Sequence, residues 1–239
     1  MFNKLSLHFP KSAMILGLSL CSSVATAAIL DPNSSITLSG TTATSNPNLA
    51  GSVVYQNQIG FSVTDDGGNT LLTGNYIDTV IRSNNTNSLI FSGRIQDLAY
   101  VGENDLGIYD WSVTGYSGYQ TDVDYRTDLI DPDTGAAYTG EGPNLATRTT
   151  DGDLLTFDFE TELSPPDSSL FSSVATDAGL FDQSGMVFFG IEDFINDEDY
   201  LVEISGIAAP SPVPLPAAFW MFGSGLIGLI GFQRKRRNG

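Results

Sequence analysis

Between residues 36 and 205 the chain reads as short apolar runs separated by turn-forming clusters, with no stretch of helical period. Segments rich in Val, Ile, Phe, Tyr and Thr, bounded by Gly, Asn, Asp and Pro, are the pattern of β-strands. The first are Ile36 to Leu38, Ser52 to Tyr55, Ile59 to Thr64, Thr70 to Thr73, Tyr76 to Arg82 and Ser88 to Gln96. Asp65-Asp-Gly-Gly-Asn69 and Asn84-Asn-Thr-Asn87 separate two neighbouring pairs of runs and suit hairpin turns, because these residues tolerate positive φ. Alternation with period two is clearest further on. Tyr109, Trp111 and Val113 face Asp110, Ser112 and Thr114. Leu155, Phe157, Phe159 and Leu163 oppose Thr156, Asp158, Glu160 and Glu162, and Tyr200, Val202 and Ile204 oppose Leu201, Glu203 and Ser205. Met186 to Ile191 is more continuously apolar. Strands with one wet and one dry face require a second sheet over the dry one. The expected fold is therefore all-β, an antiparallel β-sandwich of jelly-roll-like outline.

The pattern lapses in two places. From Thr127 to Gly152 it gives way to Asp131-Pro-Asp-Thr-Gly135, Gly140-Glu-Gly-Pro143 and Asp151-Gly-Asp153, which reads as one long loop. After Ile207, Ala-Ala-Pro-Ser-Pro-Val-Pro reads as an extended, exposed linker.

Two terminal segments stand apart. Lys4 and Lys11 precede the apolar run Ala13 to Leu20, and Ala25 and Ala27 form an Ala-x-Ala site before Ala28. This is the form of a secretory signal peptide over 1–27, cut by signal peptidase between Ala27 and Ala28. Cys21 leaves a lipoprotein alternative open, although Leu20 stands where a small residue is expected before a lipidated cysteine. At the other end, Ala217 to Phe232 carries no charge and is followed by Arg234, Lys235, Arg236 and Arg237. Such a run reads as a transmembrane helix whose basic end stays cytoplasmic. At 1.5 Å per residue it spans roughly 24 Å, short of a hydrocarbon core of about 30 Å. A permanent anchor and a transient signal both fit that length.

The tail also resembles the PEP-CTERM sorting signal of Gram-negative bacteria. The matching residues are Val213, Pro214, Leu215, Pro216, Ala217, Ala218, Trp220, Phe222, Gly223, Ser224, Gly225, Leu226, Gly228, Leu229 and the basic cluster 234–237. Leu215 departs from the glutamate that gives the family its name, which leaves the cleavage position open. The resemblance implies recognition of 210–239 by an exosortase, removal of the tail, and an ectodomain (residues 28–209) at the cell surface or in the extracellular matrix. It further implies an association with exopolysaccharide or biofilm. The stretches 79–82, 115–125 and 173–178 are similar to ectodomains that accompany this tail, and they imply no activity.

Composition narrows the chemistry of residues 28–209. His8, Cys21 and all three lysines lie outside them, leaving four arginines (82, 94, 126 and 148) against 28 acidic residues, a net charge of −24. No disulfide forms, and zinc, copper and haem sites of Cys/His type are excluded. So are cysteine nucleophiles, Ser-His-Asp triads and Schiff-base lysines. Nucleic acid is an improbable partner for so acidic a surface. The residue types present permit hard-cation binding through oxygen and recognition of neutral sugars.

Asp131 and Asp133, with Asp151 and Asp153, are candidate ligands for a structural calcium, although an EF-hand would need Gly and Glu where Ala136 and Gly142 stand. No other cofactor is expected. Tyr109, Trp111, Tyr116, Tyr119 and Tyr125 are candidates for a sugar-stacking platform, with Tyr109 and Trp111 reading more readily as core. A two-carboxylate glycoside hydrolase is a second alternative, but nothing marks Glu103, Glu141 or Glu192 for it. The expectation is an exported, non-enzymatic surface protein, with a calcium- or carbohydrate-binding module as the alternative.

Overall fold

A computed structural model describes residues 28–212. The signal-peptide residues Ala25 and Ala27 lie outside them, as do the sorting-signal residues 213–237 and the helix expected at 217–232. Within the described residues no helix is long and apolar enough to cross a membrane.

Twelve strands follow one another: β1 (Ala28–Ile29), β2 (Ser35–Thr37), β3 (Gly51–Thr64), β4 (Thr70–Ser83), β5 (Leu89–Tyr100), β6 (Leu106–Val113), β7 (Thr121–Arg126), β8 (Leu145–Arg148), β9 (Leu155–Leu163), β10 (Phe171–Thr176), β11 (Leu180–Asp193) and β12 (Glu198–Ser211). A 3₁₀ turn, Pro47–Leu49, precedes β3. The strands form two six-stranded sheets, ordered β1-β7-β10-β5-β4-β3 and β12-β11-β6-β9-β8-β2. Every strand pairing is antiparallel. The all-β, two-sheet expectation holds.

Both expected hairpins form, and the reason is local. Asp65 accepts hydrogen bonds from the backbone N–H and side-chain amide of Asn69 at 2.8 and 2.9 Å, while Gly68 sits at φ 79°. Asn87, at φ 58°, closes the second turn by donating its N–H to the Ser83 carbonyl. Between the sheets, Tyr76, Val80, Phe91 and Val174 of the first meet Trp111, Phe157, Phe189 and Ile191 of the second in one continuous core. Trp111 stacks on Phe157 at 4.7 Å and 15°, and Phe61 meets Phe189 at 4.7 Å. Aromatic side chains of this size contribute a large share of the apolar burial in such a core.

Four sequence expectations are corrected. The runs 52–55 and 59–64 are one strand, β3, and the runs 70–73 and 76–82 are one strand, β4. The polar residues between the runs did not end a strand, because its hydrogen bonds to the neighbouring strand continue through them. The long loop 127–152 contains β8, whose inward positions are Ala146 and Arg148 and so carry no apolar alternation. Tyr109 is not core: against β11, strand β6 has an extra residue between Ile108 and Asp110, which puts two consecutive residues on the strand's outer side, and Tyr109 is 36% exposed. Finally, Ala208, Ala209 and Pro210 are buried in β12 rather than lying in an exposed linker. Small side chains that look like linker residues suit the narrow space where β12 meets the core.

Candidate binding groove on the outer face of the first sheet

The outer face of the first sheet carries rows of side chains set by strand register. One row runs Gln58, Ile77, Arg94 across β3, β4 and β5. The next runs Gln56, Thr79, Ser92, Ser173, Asp124 across β3, β4, β5, β10 and β7. Above these rows residues 129–139 fold into a short hairpin. It is closed by Tyr138 N–H to the Leu129 carbonyl (3.0 Å) and Asp131 N–H to the Ala136 carbonyl (2.8 Å).

Arg94 fastens that hairpin to the sheet. Its Nε donates to the Ser169 carbonyl at 2.9 Å, Nη1 to Gln96 Oε1 at 2.6 Å and Nη2 to the Thr139 carbonyl at 3.4 Å. The guanidinium lies 4.5 Å from the centre of the Tyr138 ring, and Phe171 meets that ring edge-on at 5.0 Å. A cation held over an aromatic face is stabilised by the ring quadrupole, more so where water is excluded. Burial lowers the Arg94 pKa from its ordinary value, while Tyr138, Asp97 and Asp131 act in the opposite sense. An arginine so far above neutrality keeps its charge. Three of its five N–H donors are engaged by these contacts.

The space between hairpin and sheet is a groove of about 620 Å³, with the amides of Gln56, Gln58 and Gln96, Arg94 and the Tyr138 ring along its walls. Amide and guanidinium groups beside an aromatic ring supply both donors and acceptors for hydroxyl-rich, uncharged molecules. A larger hollow of about 740 Å³ lies between β3 and β12, but its lining includes no arginine and its one aromatic residue, Phe61, is buried in the core. The groove is the better candidate on chemistry.

The calcium candidates are placed apart. Asp131 and Asp133 line the groove, whereas Asp151 lines a separate hollow with Asn33 and Thr149. Asp131 accepts from the Asp133 N–H and the Thr134 hydroxyl, both at 2.9 Å, and these bonds hold its carboxyl below the usual range. Asp151 accepts from the Thr149 hydroxyl and the Asp153 N–H, with the same lowering effect. Asp153 in turn accepts from the Gly115 and Ser117 N–H groups. Asp131 and Asp151 thus each cap their own turn, Asp153 ties in the 115–117 segment, and no group of three acidic, His or Cys side chains placed for a metal occurs among the described residues.

The aromatic platform is dispersed. Trp111 and Tyr116 are core, Tyr116 meeting Phe91 edge-on at 5.8 Å. Tyr109 lies over Gly190 of β11, and Tyr125 packs beneath Gly40 and Gly142. Of the acids considered for hydrolysis, Glu103 and Glu141 are exposed and Glu192 is half-buried, each on a different segment. Two other acids are buried, and each is held singly. Asp78 accepts the Ala208 N–H at 2.8 Å, and burial pushes its pKa up to about 6. For Asp193 burial would raise the pKa, but bonds from the Asn196 side chain and the Ile195 and Asn196 N–H groups lower it.

The groove residues Gln56, Gln58, Arg94, Gln96, Tyr138 and Phe171 were not singled out by sequence. One signal was available: four arginines in a chain this acidic, one of them inside a strand, ask for a structural or binding reason.

No family model matches the chain, and a search of curated proteins finds no match. Among solved structures the chain is similar to the KRT10-binding region domain of the pneumococcal serine rich repeat protein PsrP, at 13% identity. That likeness covers 66% of this chain and 98% of that one, with a TM-score of 0.31, too low to bear on fold or function.

Proposed function

We propose that residues 28–212 are the exported part of an exosortase-sorted surface protein. In this reading a jelly-roll-like sandwich acts without catalysis, by binding neutral polysaccharide in the groove roofed by residues 129–139. The sorting half rests on the tail residues, from Val213-Pro214-Leu215-Pro216 through Trp220 to Arg234–Arg237. The binding half rests on one observation: the amides of Gln56 and Gln58 line a groove of about 620 Å³ together with Arg94 and the Tyr138 ring. A surface with a net charge of −24 repels polyanions, so an uncharged glycan is the chemistry that this groove suits.

Mass spectrometry of the protein recovered from the cell surface tests the first half. A mature C-terminus upstream of Arg234 is expected, and Arg237 retained on the mature protein overturns sorting by cleavage. Affinity electrophoresis through gels containing neutral glucans or galactans tests the second. Retardation that Gln58→Ala weakens several-fold is expected, and unchanged mobility in every neutral polymer overturns it.

A further inference from the structure

We infer that the free edge of β3 is a self-association surface, pairing antiparallel with β3 of a second copy about a two-fold axis near Asn57. β3 is the outermost strand of its sheet and pairs with β4 alone. Among the described residues no other segment forms backbone hydrogen bonds with Gly51–Thr64. An edge of this length carries a row of unpaired N–H and C=O groups, and proteins ordinarily protect such edges with charges, proline or cover.

β3 has no such protection over most of its length. Its sequence, GSVVYQNQIGFSVT, contains no charged residue and no proline, in a segment of the chain that carries 28 acids. The other long edge, β12, carries Glu198, Asp199 and Glu203. A bulge between Val53 and Tyr55 blunts one end, leaving Tyr55 onward regular as far as Val63. Val53 and Val54 nonetheless stand 58% and 45% exposed.

The occupant follows from charge and from symmetry. Two copies of so acidic a molecule repel each other, least where the touching surface is uncharged. The sequence is also nearly palindromic about Asn57. Antiparallel pairing centred there sets Gln56 against Gln58, Tyr55 against Ile59 and Asn57 against itself. Directly opposed residues share a face, so amides meet amides and apolar side chains meet apolar ones. A two-fold interface requires such self-complementarity. The two first sheets then become one continuous sheet. A contact of a single strand edge is small, so the association is weak and promoted by salt.

The test uses the full chain in detergent with Cys21→Ser, so that an added cysteine is alone. Asn57→Cys falls on the axis, and mild oxidation is expected to give a disulfide-linked dimer on a non-reducing gel. Ser62→Cys places the two thiols roughly 30 Å apart in this register and is expected to stay monomeric. Equal cross-linking of both, or none from Asn57→Cys, overturns the proposal. Sedimentation provides an independent readout. Self-association is expected to tighten at least tenfold between low and high salt, and to weaken at least tenfold with Asn57→Lys. That lysine lowers the net charge of each copy, so repulsion in general predicts the opposite sign. A dimer indifferent to Asn57→Lys, or a chain monomeric at high salt and high concentration, also overturns it.

Discussion

Each arginine of residues 28–212 donates guanidinium N–H groups to backbone carbonyls. Arg148 is the fullest case, donating to the carbonyls of Gly152, Leu30, Tyr116 and Tyr119 and to the Thr121 hydroxyl, all at 2.9–3.0 Å. Arg82 bonds the Asn87 and Gly179 carbonyls, and Arg126 bonds the Leu49 carbonyl and Asp128. A planar fork of five donors can gather carbonyls from several segments at once, which a lysine cannot. Arg148→Lys is therefore expected to cost about 2–4 kcal/mol, read from the midpoint of urea unfolding. Asp78 has the opposite character, as an acid buried between Tyr76 and Tyr116 with no cation beside it. Its pKa is raised from 3.8 to about 6. Its folded form therefore holds a proton that the unfolded form gives up, and the stability this adds at low pH is lost as pH rises through about 6. Asp78→Asn keeps an acceptor for the Ala208 N–H without the charge. It is expected to raise stability by about 2–3 kcal/mol at pH 8 and by little at pH 4, measured by thermal melting at both.

At the scale of elements, register was less legible than strand existence. The two hairpin turns were readable because Asp65, Gly68, Asn69 and Asn87 act within a few residues of themselves. The separation of the runs 70–73 and 76–82 was false: Gly74 lies inside β4 where a Cβ would come within 2.6 Å of the Phe61 ring and 2.7 Å of Leu98. Its absence of side chain serves the packing of neighbours and does not end the strand. Gly74→Ala is expected to destabilise by about 1–3 kcal/mol through overpacking, seen as a lower unfolding midpoint. The groove was hidden for a related reason. Gln56, Gln58 and Gln96 look like ordinary wet-face residues until the register of β3, β4 and β5 and the fold-back of residues 129–139 bring them together.

For the whole molecule, four arginines, all tied to backbone carbonyls, against 28 acids leave a strongly acidic surface. Among the described residues one ion pair forms, Arg126 with Asp128 at 2.7 Å. Self-repulsion of this kind opposes compactness and is screened by salt. The melting temperature is expected to rise by about 5 °C between low salt and ~0.5 M sodium chloride, followed by calorimetry. Calcium and magnesium at matched ionic strength are expected to act alike, because Asp131 and Asp151 already cap their own turns and lie in separate hollows.

Composition and period-two alternation by themselves determined that the chain makes antiparallel strands with one dry face, closes at least two tight hairpins and presents an acidic exterior. These are local or additive properties, and each residue contributes to them without reference to distant ones. The tertiary structure alone decided which strands became neighbours, that Tyr109 points outward while Trp111 packs on Phe157, and that Arg148 sits among four carbonyls from three segments. It also decided that β3 was left as an edge. Those outcomes depend on pairings between residues tens of positions apart, which no local pattern encodes.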